Sequence, residues 1–220
     1  MFFKLFKKEI KISYGITVCT EAAELKGLLE ILIPLVDPND EIIVLQDITV
    51  KDILVSELLN NYKKNVIVKE AFLNKDFASF KNNFLSIAKG DYLFQIDADE
   101  IPKASLIKNL KGIILKSRRY DCFRVPRINI VNGYTDEHVN NWNWNINDKN
   151  YINFPDYQPR IIKLNGSIKW KNKLHEDLTG FKKRFDLPAD EDFCLIHIKD
   201  IERQQKQVDF YEKITDKNLN

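Results

Sequence analysis

Hydrophobic positions in the first half of the chain follow two alternating patterns. Short apolar runs, ISYGITV (12–18), EIIVLQ (41–46), NVIV (65–68) and DYLFQI (91–96), have the length and composition of strands. The last of these carries apolar residues on both alternating sets of positions, as a strand covered on both faces should. Between the runs, apolar residues recur at helical spacing. Leu25, Leu28, Leu29 and Leu32 mark one helix within 22–36, and the segments 52–60 and 77–88 read as two more. DPND is a turn signal before the second strand, and Gly90 reads as the stop of the third helix. After Pro102, Leu106, Leu110, Ile113 and Ile114 predict a further amphipathic helix. Strands alternating with helices predict an α/β fold with a mostly parallel central sheet flanked by helices. Loops at the C-terminal ends of its strands then form the ligand crevice.

From about residue 121 the pattern changes. DCFRVPRINI reads as a strand, whereas WNWNINDKNYINFPDYQP (142–159) has neither helical nor strand period and reads as a long irregular segment. Strand-like RIIKL and SIKW lead to NKLHEDLTG, and FCLIHI precedes a helix, IERQQKQVDFYEKI. With no internal repeat and no low-complexity linker, one domain over 1–220 with two functional halves is expected.

Bulk properties narrow the field. A hydrophobic fraction of 44% with 30% charged residues fits a soluble globular chain. The 34 Lys and Arg against 32 Asp and Glu leave a net charge of +2, which predicts no attraction to nucleic acid. Cys19, Cys122 and Cys194 are far apart and match neither a disulfide framework nor a zinc spacing, so a reducing, cytoplasmic location is expected. No run approaches the roughly 18 apolar residues of a membrane span. The segment MFFKLFKKEIKI reads as an arm or edge strand. Alternatively its lysines with Phe2, Phe3 and Phe6 make a peripheral contact at the inner face of a membrane.

The chemistry concentrates in GDYLFQIDADEIP, where Asp97, Asp99 and Glu100 follow an apolar strand. Three acids this close repel one another unless solvent or a cation intervenes. A solvated turn capping the next helix is one reading. The other is a divalent cation, because carboxylates two residues apart at a strand end present hard oxygen ligands to Mg²⁺ or Mn²⁺ and leave positions for phosphate oxygens. Asp47 and the segment Thr17 to Glu21 close two other strands on the same edge.

Here the chain resembles the family 2 glycosyltransferases, which have the GT-A nucleotide-sugar-binding fold. The resemblance is carried by ITVCTEAAELKGLLEIL, EIIVLQDIT and DFASFKNNFLSIAKGDYLFQIDADEIP, and continues in YQPRIIK, KLHED and LIHIKDIERQQKQVDFY. The second-half pieces look most like the bacterial and phage branch related to lipopolysaccharide-core and bacteriocin glycosyltransferases. The resemblance implies a donor half over about 10–120 and an acceptor half over about 121–220 with a C-terminal helix. It implies that Asp47 contacts the nucleobase, that Thr17 and Glu21 border it, and that Lys81 lies near the nucleotide. Asp97 is implied near the ribose and metal, Asp99 as the direct metal ligand, and His197 as completing the shell of Mn²⁺ or Mg²⁺. Glu176 or Asp177 matches the acidic position that supplies the catalytic base. The partners implied are a nucleotide-diphosphate sugar of UDP or GDP type and a glycan or other hydroxyl acceptor.

Two departures bear on the nucleobase. The first loop reads Thr17-Val18-Cys19-Thr20-Glu21 rather than Pro-Thr-Tyr-Asn-Glu, and Gln46 replaces the first of two acids. The Gln-x-x-Arg-Trp motif of processive synthases is absent, which favours transfer of a single sugar. A sugar-nucleotide nucleotidyltransferase is the first rival, but CTEAAELKG lacks its Gly-rich basic loop. A non-catalytic binding module is the second. Arg160 reads either as a phosphate ligand or as half of a surface salt bridge, and Trp142 and Trp144 either as acceptor stacking faces or as hydrophobic anchors.

Overall fold

A computed structural model describes residues 9–217, with side chains through residue 210. Phe2, Phe3 and Phe6 lie outside the described residues. The first half builds β1 (Ile12–Val18), α1 (Ala22–Leu32), β2 (Glu41–Asp47), α2 (Ile53–Asn61), β3 (Ile67–Ala71), α3 (Phe77–Ile87) and β4 (Tyr92–Asp97). These follow the predicted strand–helix alternation. Asp52 caps α2 by accepting from the Val55 amide at 2.9 Å, and Asp76 caps α3 from the Ser79 amide at 2.9 Å. The strand expected over 65–68 begins later and runs through Lys69 and Glu70, because β3 is an exposed edge strand with no apolar pattern to mark it.

The second half adds β5 (Glu100–Pro102), α4 (Ala104–Lys116), β6 (Cys122–Asn132), α5 (Asp136–Asn141), β7 (Ile152–Lys163), β8 (Lys169–Lys171), β9 (Asp177–Thr179), β10 (Arg184–Asp186), β11 (Leu195–Asp200) and α6 (Ile201–Lys217). The stretch expected to be irregular over 142–159 is corrected in its second part, which forms the first two thirds of β7. Its side chains alternate poorly between core and solvent because Asp156 and Gln158 enter a polar network rather than a core.

The main sheet is nine-stranded among the described residues, in the order β3-β2-β1-β4-β7-β6-β11-β5, with β10 beside β6. Strands β1 to β4 are parallel to their neighbours among themselves; β7 joins β4 and β6 antiparallel. Two cores cover the sheet's faces. Ile42 and Val44 of β2 and Tyr92, Phe94 and Ile96 of β4 pack with α1, α2 and α4. Ile43, Leu45 and Leu93 pack on the other face with Phe80 and Phe84 of α3. The continuous apolar runs are thus two interleaved period-2 faces, both buried.

Gly90 has a different job from a helix stop. α3 ends at Ile87, with Ala88 already extended. A Cβ at Gly90 would lie 2.8 Å from the Ser13 amide nitrogen and 2.9 Å from the Lys11 carbonyl, so only glycine lets the chain pass so close to β1.

Candidate functional site

Chain order runs outward from β1 to β2 to β3 and then returns to β4 on the other side of β1. Such a reversal opens a crevice at the C-terminal strand ends. There Thr17 pairs in register with Asp97, and its hydroxyl donates to Asp97 Oδ1 at 2.8 Å. The crevice is a cavity of about 540 Å³. Thr17, Glu21, Asp47, Lys81, Asp97, Asp99 and Glu176 all line it, brought from five separate places in the chain. His197 lines an adjoining cavity of about 290 Å³ that shares Arg127 and Gln207 with the first. Asp177 is exposed, and its Oδ1 accepts from the Leu178 amide at 2.8 Å.

Beneath the crevice floor lies a network of ions. Arg160 is buried on β7 and donates through Nη2 to Asp97 Oδ2 at 2.6 Å and to Glu100 Oε1 at 2.5 Å. It is therefore neither a surface salt bridge nor a free phosphate ligand. Glu100 is fully buried and also accepts from Arg127 Nη1 at 3.1 Å, while Arg127 Nη2 reaches Asp156 Oδ2 at 2.7 Å. Burial alone would raise the Asp97 carboxyl. The charges of Arg160 and Lys81 and the Thr17 hydroxyl outweigh it and hold Asp97 well below the usual carboxylate range. The roles of Glu100, Arg127 and Arg160 were not legible in sequence, since the contacts span at least 27 residues of chain.

Asp99 faces the cavity beside two partners. His197 Nε2 lies 3.3 Å and Arg203 Nη2 3.2 Å from its Oδ2, while His197 Nδ1 lies 2.9 Å from Asn129 Oδ1. Burial favours a raised Asp99 carboxyl, but the hydrogen bond and charge of His197 leave it lowered. Arg203 begins α6 and also reaches Glu24 Oε1 at 2.6 Å, so the segment IERQQ closes over this acid. Among the described residues no group of three or more His, Cys, Asp or Glu side chains converges on a point suited to a metal ion. Both Asp97 oxygens are taken by Thr17 and Arg160. The side chains left to meet a divalent ion are one carboxylate, Asp99, and one imidazole, His197, hard and borderline donors of the kind such an ion takes, with Arg203 also on Asp99 Oδ2.

At the far end of the cavity, Asp47 is held by the amides of Thr49 at 2.8 Å and Leu73 at 3.1 Å on Oδ1, and its Oδ2 faces the Cys19 thiol at 3.7 Å. Burial, then the Asp47 charge, pushes that thiol up to about 11. Glu21 folds back onto the Cys19 and Thr20 amides at 2.8 and 3.0 Å, fixing the loop after β1. All three cysteines are free thiols.

Opposite, Lys81 projects from the buried face of α3 and forms an ion pair with Glu176 Oε1. Its ammonium lies 4.9 Å from the Trp170 ring centroid. Asn82 brackets the Trp170 backbone, accepting from its amide and donating to its carbonyl, each at 2.9 Å. That clamp docks β8 and the segment leading to β9 against α3, and so delivers His175 and Glu176 to the cavity.

An open α/β sheet with an acid-lined crevice at its switch point is a ligand-binding arrangement, and its matches to known proteins place it in the class of the GT-A nucleotide-sugar-transferase fold. The profile of glycosyl transferase family 2 matches residues 13–177, and the chain belongs to that family. No curated protein sequence matches it. Among solved structures it is similar to S. aureus TarS 1-349, at 14% identity and a TM-score of 0.60 over 86% of this chain and 60% of that one. The complex of that protein with UDP-GlcNAc gives 14% identity and a TM-score of 0.60, over 86% of this chain and 59% of that one. Glucosyl-3-phosphoglycerate synthase from Mycobacterium tuberculosis, in complex with Mn²⁺ and UDP, is 20% identical with a TM-score of 0.44 over 56% of this chain and 45% of that one. The chain spans about three fifths of the length of the TarS structures. No helix among the described residues is long and apolar enough to cross a membrane.

Proposed function

We propose that this chain is an inverting, metal-dependent glycosyltransferase that moves one sugar from a nucleotide-diphosphate sugar to an acceptor hydroxyl. The observation that carries the reading is the meeting, in one cavity of a family 2 fold, of Asp47, Asp97, Asp99 and the Lys81–Glu176 pair. The half over about 10–120 serves the donor and the half over about 121–220 the acceptor.

Asp47 is poised to accept from a nucleobase edge through Oδ2, which takes only a long thiol contact, while Oδ1 is committed to backbone amides. Thr17 and Glu21 shape the loop that borders the base. Asp99 and His197 would hold the divalent ion, with Asp97 fixing the floor beside the ribose rather than turning its oxygens outward. When bound, that ion supplies Lewis-acid stabilisation of the charge developing on the diphosphate. Arg203 Nη2, now 3.2 Å from Asp99 Oδ2, would have to give up that contact to the ion.

Glu176 is the base. It lines the cavity with Lys81 anchoring one oxygen, whereas Asp177 points out to solvent. Its carboxylate takes the acceptor proton while the acceptor oxygen bonds to the anomeric carbon. The bond from that carbon to the diphosphate oxygen breaks on the opposite face, which inverts the centre. The TarS complex makes UDP sugars a natural first arm of a donor panel, with GDP sugars the second.

The test is Glu176→Gln. Titration calorimetry should find donor binding within about threefold of wild type, with transfer reduced about 10²–10⁴-fold. Normal turnover in Glu176→Gln with loss in Asp177→Asn would contradict the assignment.

A further inference from the structure

The 290 Å³ cavity behind His197 carries a charge that the donor site does not use. Lys199 lies two residues beyond His197 on β11, and both side chains are buried on the same side of the strand. Lys199 is 8% exposed and lines the cavity. Among the described residues its ammonium donates to an amide oxygen, Gln207 Oε1 at 2.6 Å, rather than to a carboxylate. The other cation on the wall, Arg127, is neutralised by Asp156 and Glu100. Asp156, the acid on the wall, is also spent: Oδ2 accepts from Arg127 and Asn129, and Oδ1 from Gln158. Among the described residues the wall therefore holds one buried ammonium with no carboxylate in contact, the charges of Asp99 and Asp97 reaching it only from further off, an arrangement that favours an arriving counter-charge.

The rest of the wall suits a sugar. Trp144 contributes a ring held from behind by Tyr134, at 6.0 Å between centroids, and by Trp142, at 4.9 Å. Aromatic rings steadied in this way pack against the C–H faces of pyranoses. Asn153, whose Oδ1 accepts from the Asn145 amide at 2.8 Å, adds its amide nitrogen as a donor for a hydroxyl group. The cavity meets the donor site through Arg127 and Gln207, and His197 joins it to Asp99.

We propose that this cavity is the acceptor subsite, and that the acceptor is a sugar bearing an anionic group, phosphate or carboxylate, which pairs with Lys199. The inference rests on the glycosyltransferase reading and deepens it.

The full chain, with Mn²⁺ and a nucleoside diphosphate present, is titrated with glucose, glucose 6-phosphate and glucuronate. At least one charged sugar should bind tenfold or more tightly than glucose, and the two charged probes separate phosphate from carboxylate recognition. Lys199→Met should shrink the preference below twofold, and Lys199→Arg should keep most of it, with thermal melts confirming folded protein. Equal binding of charged and neutral sugars by the wild type, or no binding of either charged probe, overturns the proposal without any variant. So does a preference that survives Lys199→Met, or a Lys199→Met that weakens Mn²⁺ binding and leaves the preference intact. Titration with UDP and GDP sugars separates the two readings. Donor binding without anion preference defeats only this inference, and anion preference without donor binding defeats the transferase reading.

Discussion

Arg160 joins two acids three positions apart in the chain, Asp97 and Glu100, from a buried place on β7. Removing one partner of a buried ion network leaves uncompensated charge, which costs about 3–5 kcal/mol. Arg160→Met should lower stability by that order in urea unfolding; an unchanged midpoint would show that the network contributes nothing to the fold. The acids at Asp97 and Asp99 were legible in the sequence because they end an apolar strand. Their side-chain partners were not, since those come from distant parts of the chain: Arg160 for the first, His197 and Arg203 for the second. The choice between Glu176 and Asp177 was equally hidden. Adjacent residues face opposite ways, and only the docking of β8 on α3 decides which one enters the cavity.

At the level of elements, the strands read most easily were those with both faces buried, β1, β2 and β4, where apolar side chains predominate on both faces. The first part of β7 escaped recognition because it trades core packing for ions, whereas its end, within RIIKL, reads as strand. Arg127 on β6 opposes Asp156 on β7 in register and ties the two strands by side chain as well as backbone. Burial would raise the Asp156 carboxyl, but Arg127, Asn129 and Gln158 more than offset it, and the group lies below its ordinary 3.8. A carboxylate depressed on folding adds stability that is fully present above the unfolded value and is lost as pH falls through the folded one. The urea midpoint should therefore fall as the solution is acidified below about pH 4, and Asp156→Asn should flatten that dependence. Identical acid profiles for the two proteins would contradict it. Gly90→Ala tests the contact between β1 and the turn before β4. The added methyl meets backbone rather than a pliable side chain, so a loss of roughly 1–3 kcal/mol is expected by thermal unfolding.

At the scale of the whole molecule, the order of strands does what no single motif could. Reversal between β1 and β4 brings residues from the ends of β1, β2 and β4 to one crevice, and β6, β7, β8 and α6 close it with groups from the second half. The general architecture follows from the alternation of strand and helix runs. The antiparallel return of β7, which inserts the second half into the same sheet, has no comparable signal in the chain.

The central claim is that this crevice binds a nucleotide-diphosphate sugar against Asp99 and activates its departure. Its most direct measurement is nucleoside diphosphate release from a panel of UDP and GDP sugars with Mn²⁺, in wild type and in Asp99→Ala. Release from at least one donor by the wild type, falling a hundredfold or more in the variant, is the predicted result. No release from any donor, or equal release from both proteins, would contradict the account.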